Sequence, residues 1–138
     1  MKPVFADTFF FLALLNRNDP DHQNDPDHQA AIRASRSLKR HRITTAWVLT
    51  EVGDALALGK GRDAFLDLVR FLKGSPLVTI KPSSQELFER GIELYAKRSD
   101  KDWPLTDCIS FVVMTEEGLS EALTGDRHFE QAGFKILL

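Results

Sequence analysis

The sequence of 138 residues is poor in several features, and each scarcity excludes a class of protein. A single cysteine, Cys108, excludes an internal disulfide and a zinc site built from cysteines. The longest apolar runs, residues 9–15 and 111–114, are far shorter than the roughly 20 residues of a membrane-spanning helix. Only six residues precede the first acid, Asp7, which leaves no room for a signal peptide. We therefore expect a cytoplasmic protein that does not enter a membrane.

The chain also lacks a strong charge of one sign. Its net charge of −2 disfavours a protein that holds nucleic acid by bulk electrostatics alone, although it allows an enzyme that meets nucleic acid through metal ions. One basic stretch stands out: Arg33, Arg36, Lys39, Arg40 and Arg42. A solvated helix face and loop is the favoured interpretation, and a rim that contacts phosphates is the alternative. With 43% apolar residues, the chain has enough material for the core of one domain, residues 1–138.

Strand patterns alternate with helix patterns along the chain. Strands are predicted at residues 2–6, 42–44, 77–80, 121–124 and 134–138, and helices at about 8–15, 26–39, 45–58, 62–72, 84–95 and 104–118. Gly59 and Gly61 are expected to end the third helix. Such alternation predicts an α/β fold in three layers, with a central, mostly parallel sheet and helices on both faces.

A six-residue repeat, NDPDHQ, occupies residues 18–23 and again residues 24–29. Its proline and aspartate content indicates a duplicated loop, whose second copy caps the following helix. The pairs Asp21/His22 and Asp27/His28 could suggest a metal site, but capping explains them better because no third ligand is evident.

Four acidic residues occupy positions where α/β proteins place their sites. Asp7 and Asp126 each follow a predicted strand, and ligands of parallel sheets bind beyond the carboxyl ends of the strands. Glu51 lies among apolar residues in the middle of a helix, and Asp107 lies in the first turn of another. Taken singly, each is explained equally well as a turn residue, a cap or a surface acid.

Taken together, the four acids match a known pattern. The segments are Val4-Phe5-Ala6-Asp7-Thr8, Thr50-Glu51-Val52, Leu105-Thr106-Asp107-Cys108-Ile109-Ser110-Phe111, and Leu123-Thr124-Gly125-Asp126-Arg127-His128-Phe129 with Ala132-Gly133-Phe134 after it. In this order they resemble the four acidic motifs of the PIN domain, and the chain is similar in length to the VapC toxins of toxin–antitoxin pairs. The duplicated NDPDHQ departs from the family but lies away from every motif.

The resemblance implies a sheet with strand order 3-2-1-4-5 and a meeting of Asp7, Glu51, Asp107 and Asp126 at one end of it. It also implies an endoribonuclease that uses Mg²⁺, with Mn²⁺ as a substitute, and that binds RNA and a cognate antitoxin. Clustered carboxylates repel one another unless a cation neutralises them, so the chemistry of the cluster points to a metal independently. The resemblance leaves open whether Asp126 binds an ion directly or through water.

A homodimer is expected as well. The resemblance implies it, and the run Phe9-Phe10-Phe11 is hard to bury entirely in one small domain.

Three rival interpretations remain. A phosphatase of the haloacid type needs a second aspartate two positions after Asp7, where Phe9 stands, and a receiver domain needs an acidic pair near the first strand, where only one acid is found. The third rival is an inactive PIN fold that only binds RNA or protein.

Other residues near the motifs are weaker candidates for the site. Thr8 and Thr124 could hydrogen-bond the acids, whereas Asp102 and Asp54 are expected to be solvated and Cys108 to lie in the core.

Overall fold

The computed structural model describes residues 1–16 and 25–138. The first copy of the duplicated segment, with Asp21 and His22, lies outside the described residues. In chain order the elements are β1 (Val4–Ala6), α1 (Thr8–Leu15), α2 (Pro26–Ser37), β2 (Arg42–Thr45), α3 (Ala46–Ala55), α4 (Lys60–Gly74), β3 (Val78–Lys81), α5 (Gln85–Lys97), α6 (Leu105–Glu117), β4 (Glu121–Leu123), α7 (Arg127–Gln131) and β5 (Lys135–Ile136).

The five strands form one sheet with the order β3-β2-β1-β4-β5, and each neighbouring pair is parallel. The predicted α/β fold and strand order are therefore confirmed. Phe5 and Ala6 point to opposite faces of the central strand, yet neither is exposed to solvent. Burial of both faces requires helices on both sides of the sheet, as expected for parallel strands.

Side-chain caps set the beginnings of several helices. Thr45 accepts a hydrogen bond from the backbone N–H of Val48 at the start of α3, and Ser84 accepts one from Leu87 at the start of α5. Asp25, from the second NDPDHQ copy, caps α2 with Pro26 in the first turn. Capping by this copy was predicted from the sequence.

The histidine of the same copy has a structural role. The His28 ring is buried, and its Nδ1 lies 2.7 Å from the backbone oxygen of Ala13. This contact ties α2 to α1. Among the described residues, the group that could hold a metal ion does not include His28.

Two details of the helices differ from the prediction. Gly59 precedes α4 with a φ of +59°, but Gly61 lies inside α4, which begins two residues earlier than expected. A Cβ on Gly61 would come within 2.6 Å of the Leu56 backbone oxygen, so glycine is required there by close packing and not by helix termination. The short helix α7 was not predicted, because five residues give too little periodicity to recognise.

The phenylalanine run is mostly buried within one chain. Phe10 and Phe11 are each 2% exposed, and their rings pack edge to face. Phe9 is partly buried and lies against Gly125, where a Cβ would meet its ring at 2.6 Å. A single chain therefore accommodates all three rings, and the run gives no argument for a dimer.

The basic stretch divides into two parts. Arg33, Arg36 and Lys39 are exposed, as the solvated interpretation expects. Arg40 and Arg42 instead lie where β2 begins, at the end of the sheet opposite to the predicted acids, and both make hydrogen bonds to backbone oxygens. In the part of the chain that the structure describes, no helix is long and apolar enough to cross a membrane.

Candidate active site

Asp7 lies at the point where β1 ends and α1 begins, beside the β1–β4 pair at which the sheet reverses its strand order. Although Asp7 occupies the N-cap position, its side chain makes no capping hydrogen bond. One oxygen, Oδ2, instead accepts a 3.0 Å hydrogen bond from the Thr124 hydroxyl. Among the described residues, the buried Oδ1 has no hydrogen-bond partner. Such an orphaned carboxylate oxygen, in a residue only 3% exposed, is a free ligand atom.

Asp107 lies in the first turn of α6 and is 5% exposed. Its neighbours in sequence, Cys108 and Ile109, are buried in the core, which places the carboxylate at the inner edge of the site. Asp107 interacts electrostatically with each of the other three predicted acids. It is therefore the residue around which the cluster is organised.

Glu51, in the middle of α3, is half-buried. The hydroxyl of Thr8 donates a 2.6 Å hydrogen bond to its Oε1. Because Thr8 directly follows Asp7, this bond connects the third helix to the turn that carries the first acid. The partner that a half-buried carboxylate requires is thus supplied by one of the threonines singled out from the sequence.

Asp126 follows β4 and caps α7, since its Oδ1 accepts a 2.9 Å hydrogen bond from the backbone N–H of His128. The Nδ1 atom of His128 lies 3.0 Å from Oδ2 of Asp107 and 3.4 Å from Oδ1 of Asp126. The backbone N–H of Asp126 donates to the Thr124 hydroxyl, which in turn donates to Asp7. Thr124 therefore links Asp126, which follows β4, to Asp7, which follows β1.

Burial and mutual repulsion disturb the ionisation of the two most enclosed acids. Desolvation, followed by the charges of Asp107 and Asp126, raises the pKa of Asp7 to about 7, against the lowering effect of the Thr8 backbone N–H and the Thr124 hydroxyl. Desolvation likewise raises the pKa of Asp107 to about 6, despite its hydrogen bond to His128. Both carboxylates would ionise more readily beside a cation.

His128 is the residue that the sequence interpretation missed. It was quoted as part of a motif but was given no role, because a histidine in a turn has no periodic signal. The arrangement Asp126-x-His128, in which the acid caps a helix start, is a local signal that could have placed both side chains on the same side. By contrast, Asp102 and Asp54 are exposed, as expected for solvated acids, and Cys108 is buried.

The donor set fits a small, hard divalent cation. Carboxylate oxygens are the ligands that Mg²⁺ prefers, and the orphaned Oδ1 of Asp7 is one that a cation would satisfy. Asp107, Asp126 and His128 each offer one atom to a group whose members all lie within 4.8 Å of one another. This arrangement can bind a metal ion and hold it against a phosphate. Phe9, at the position where a haloacid phosphatase needs its second aspartate, contacts Gly125 and contributes no ligand.

Comparison with known families identifies the class of protein. The sequence profile of the PIN domain matches residues 4–135, so the chain belongs to the PIN domain family. The resemblance inferred from the four acidic motifs is confirmed.

Individual relatives agree with this assignment. The chain is 28% identical over 133 residues to the 23S rRNA-specific endonuclease VapC20 of Mycobacterium tuberculosis, and the match covers 95% of each protein. The crystal structure of that protein, described as a Sarcin-Ricin loop cleaving toxin, superimposes with a TM-score of 0.81 at 27% identity and covers 95% of each chain. The chain is thus a homologue of the VapC endonucleases.

Two more distant structures share the fold. In the structure of DNA-bound VapBC from Salmonella typhimurium, a chain matches with a TM-score of 0.62 at 15% identity, covering 99% of this chain and 97% of the other. A chain of FitAcB from Neisseria gonorrhoeae matches with a TM-score of 0.65 at 19% identity, with coverages of 98% and 96%.

Proposed function

We propose that this protein is a metal-dependent endoribonuclease that uses Mg²⁺, or Mn²⁺ in its place, and that it acts as the toxin of a toxin–antitoxin pair in the cytoplasm. The observation that carries the proposal is the buried Asp7 oxygen without a hydrogen-bond partner in the described part of the chain, within a group of acids whose repulsion a bound cation would relieve once they are ionised. Membership of the PIN domain family and homology to an rRNA endonuclease supply the substrate class.

Asp7, Glu51, Asp107 and Asp126 are the residues that we assign to the metal and to catalysis. Bound there, the metal would supply Lewis acidity that activates water and stabilises the leaving oxygen of a phosphodiester. The chain itself fixes the ligands. Asp7 and Asp107 lie on a strand end and a helix start, both anchored in the core, as a site of defined geometry requires.

The threonines of the site hold the acids in place. The Thr124 hydroxyl orients Asp7 by occupying Oδ2, which leaves Oδ1 available to an ion. The Thr8 hydroxyl holds Glu51 toward the same turn. Hydrogen bonds of this kind fix the direction of a carboxylate and adjust its basicity, and they are as much a part of a metal site as the ligands.

Ribosomal RNA is the first substrate to test, since VapC20 is named for 23S rRNA. Purified protein should be incubated with 23S rRNA, an unrelated structured RNA and a DNA of equal length, with Mg²⁺ or Mn²⁺ and with excess chelator. We expect discrete RNA fragments only when metal is present. Cleavage that persists in chelator would refute the mechanism, and binding without cleavage in every metal would favour the inactive RNA-binding alternative.

An antitoxin protein and a second copy of the chain are the partners that we propose. Apolar side chains remain exposed along α5, namely Phe88, Ile92 and Tyr95, and their spacing places them on one helix face. Exposed apolar stripes of this kind are typical of protein contacts.

Two observations would test these partners. A small reading frame beside the gene, encoding a DNA-binding protein that co-purifies with this chain and suppresses its nuclease activity, is expected for a toxin. Light scattering of the isolated protein at micromolar concentration should give the mass of a dimer. A monomer alone under these conditions would contradict the homodimer but not the nuclease.

A further inference from the structure

The imidazole of His128 lies within 3.4 Å of two of the acids. Its Nδ1 faces Oδ2 of Asp107 at 3.0 Å and Oδ1 of Asp126 at 3.4 Å. Ligands at adjacent corners of an octahedron around a small divalent ion are separated by about 3 Å, since each metal–ligand bond is about 2.1 Å long. The nitrogen therefore already lies close to the spacing of a neighbouring ligand from each of the two oxygens.

The position of the imidazole is fixed by the backbone. Asp126 caps the turn that carries His128, so the acid and the imidazole are held relative to each other by a 2.9 Å hydrogen bond. The next residue, Phe129, is completely buried and packs against Phe5 and Phe111. The side chain of His128 is itself 29% exposed, so the imidazole is open to an ion arriving from solvent.

An independent observation favours a cation in the same group of residues. Asp7 is buried and has an oxygen without a hydrogen-bond partner in the described part of the chain, and it interacts electrostatically with both Asp107 and Asp126. A buried, unsatisfied acceptor beside two further carboxylates is stabilised in its ionised form by a positive charge. The imidazole nitrogen faces these same two carboxylates.

We propose that His128 is a metal ligand through Nδ1 and that this nitrogen makes the site bind Mn²⁺ more tightly than Mg²⁺. Mg²⁺ favours an all-oxygen shell, whereas a first-row transition ion gains from an imidazole nitrogen. The inference rests on the proposed function, because it concerns the metal of the same acids. It goes further by assigning a nitrogen ligand and a preferred ion.

The alternative is that His128 only positions Asp107 through a hydrogen bond. Calorimetric titration of Mn²⁺ and Mg²⁺ into the wild type and His128→Asn separates the two roles. Loss of a nitrogen ligand should lower the Mn²⁺ affinity roughly tenfold more than the Mg²⁺ affinity. Loss of positioning alone would weaken both ions by the same factor, and such an unchanged ratio would overturn the proposal.

Pulsed electron paramagnetic resonance of the wild-type Mn²⁺ complex gives a readout that is independent of any variant. A directly bound imidazole should produce ¹⁴N modulation of the Mn²⁺ echo, and this modulation should disappear in His128→Asn. Its absence from the wild-type complex would overturn the proposal even if the variant failed to fold.

His41→Asn is the matched control. His41 contacts the Thr79 hydroxyl at 2.7 Å beside the start of β2, so its replacement should leave both the ¹⁴N signal and the ratio of metal affinities unchanged. The proposed function can also be judged separately. Metal-dependent RNA cleavage without ¹⁴N modulation would refute the role of His128 alone, whereas a wild type that binds neither ion would refute both.

Discussion

The two ends of the sheet differ in how their charged side chains are paired. At the amino end, Arg40 donates to the Lys2 backbone oxygen and forms a 2.8 Å ion pair with Glu121, and the Arg42 guanidinium donates to the Ser35 and Leu38 oxygens. At the carboxyl end, four acids lie near one another, and Asp107 and Asp126 face the imidazole of His128.

This difference separates a charge that stabilises the fold from one that costs it stability. An Arg–Glu pair with hydrogen-bonded ends is neutral and satisfied within the chain itself. At the carboxyl end, desolvation and the neighbouring acids raise the pKa of Asp7 and of Asp107, and one buried oxygen is left unsatisfied, so the cluster disfavours the metal-free fold. The buried Nε of Arg42 at the amino end also lacks a hydrogen-bond partner among the described residues, so the carboxyl end is distinguished by the repulsion among its acids. Such repulsion is typical of a site that is adapted to a ligand.

The largest effect is expected when one acid at the carboxyl end of the sheet is neutralised. In Asp7→Asn and Asp107→Asn, RNA cleavage should fall by roughly a thousandfold, because each loses a charge that holds the metal. The fold should survive, which thermal unfolding would check. Glu51→Gln should also lose activity, while its matched control Asp54→Asn, on the same helix but exposed, should cleave RNA at the wild-type rate. Activity that persists in all three acid variants would contradict the site assignment.

A second test uses pH and concerns the metal-free protein. The pKa of Asp7 is about 7 in the folded protein and about 3.8 when unfolded, so between these values the folded protein holds more protons. Its stability should therefore fall as the pH rises from 4 to 7, by about 3 kcal/mol from this residue.

Urea unfolding in chelator at pH 5 and pH 8 measures this effect. Asp7→Asn should lose less stability between the two values than the wild type, and at pH 8 it should be the more stable of the two. Saturating metal should restore stability chiefly at pH 8. An equal pH dependence in the wild type and the variant would show that Asp7 does not carry the repulsion.

At the amino end we expect the opposite result, namely lower stability with unchanged activity. Arg40→Met removes a guanidinium whose side chain is only 10% exposed and leaves Glu121 without its partner, so the free energy of unfolding should fall by about 1–2 kcal/mol. Cleavage by the folded variant should remain at the wild-type rate, since these residues lie away from the acids. Reduced kcat with unchanged stability would mean that the two ends are not independent.

The smallest effect is expected from the duplicated segment. Deletion of residues 18–23 retains Asp25 and Pro26, which begin α2, and loop length contributes little to stability, so unfolding should change by less than about 0.5 kcal/mol. Cleavage should be unaffected. A deletion that abolishes activity at an unchanged melting temperature would mean that His22 or its neighbouring acids complete the carboxyl end.

Local sequence signals were enough for most of the elements. Thr45, Ser84, Asp25 and Pro26 mark helix starts by their capping chemistry, and alternating strand and helix patterns gave the α/β class. The four acids were proposed as site residues because their motifs occur in the order of a known family, with Asp7 and Asp126 after strands and Asp107 at a helix start. These features depend on residues close in sequence, which is why they can be read without a structure.

Contacts between distant residues could be settled only by the folded chain. Nothing in the sequence reveals that Phe9 packs on Gly125, that Thr124 occupies one oxygen of Asp7 and leaves the other free, or that His128 lies beside Asp107. The pKa of Asp7 likewise depends on Asp107, Thr124 and Asp126, which lie 100 or more residues away in the sequence. The sequence by itself determined which acids are candidates to bind a metal. The tertiary structure decided which of their atoms remain free to do so, because burial and repulsion arise only when β1, α6 and β4 are packed together.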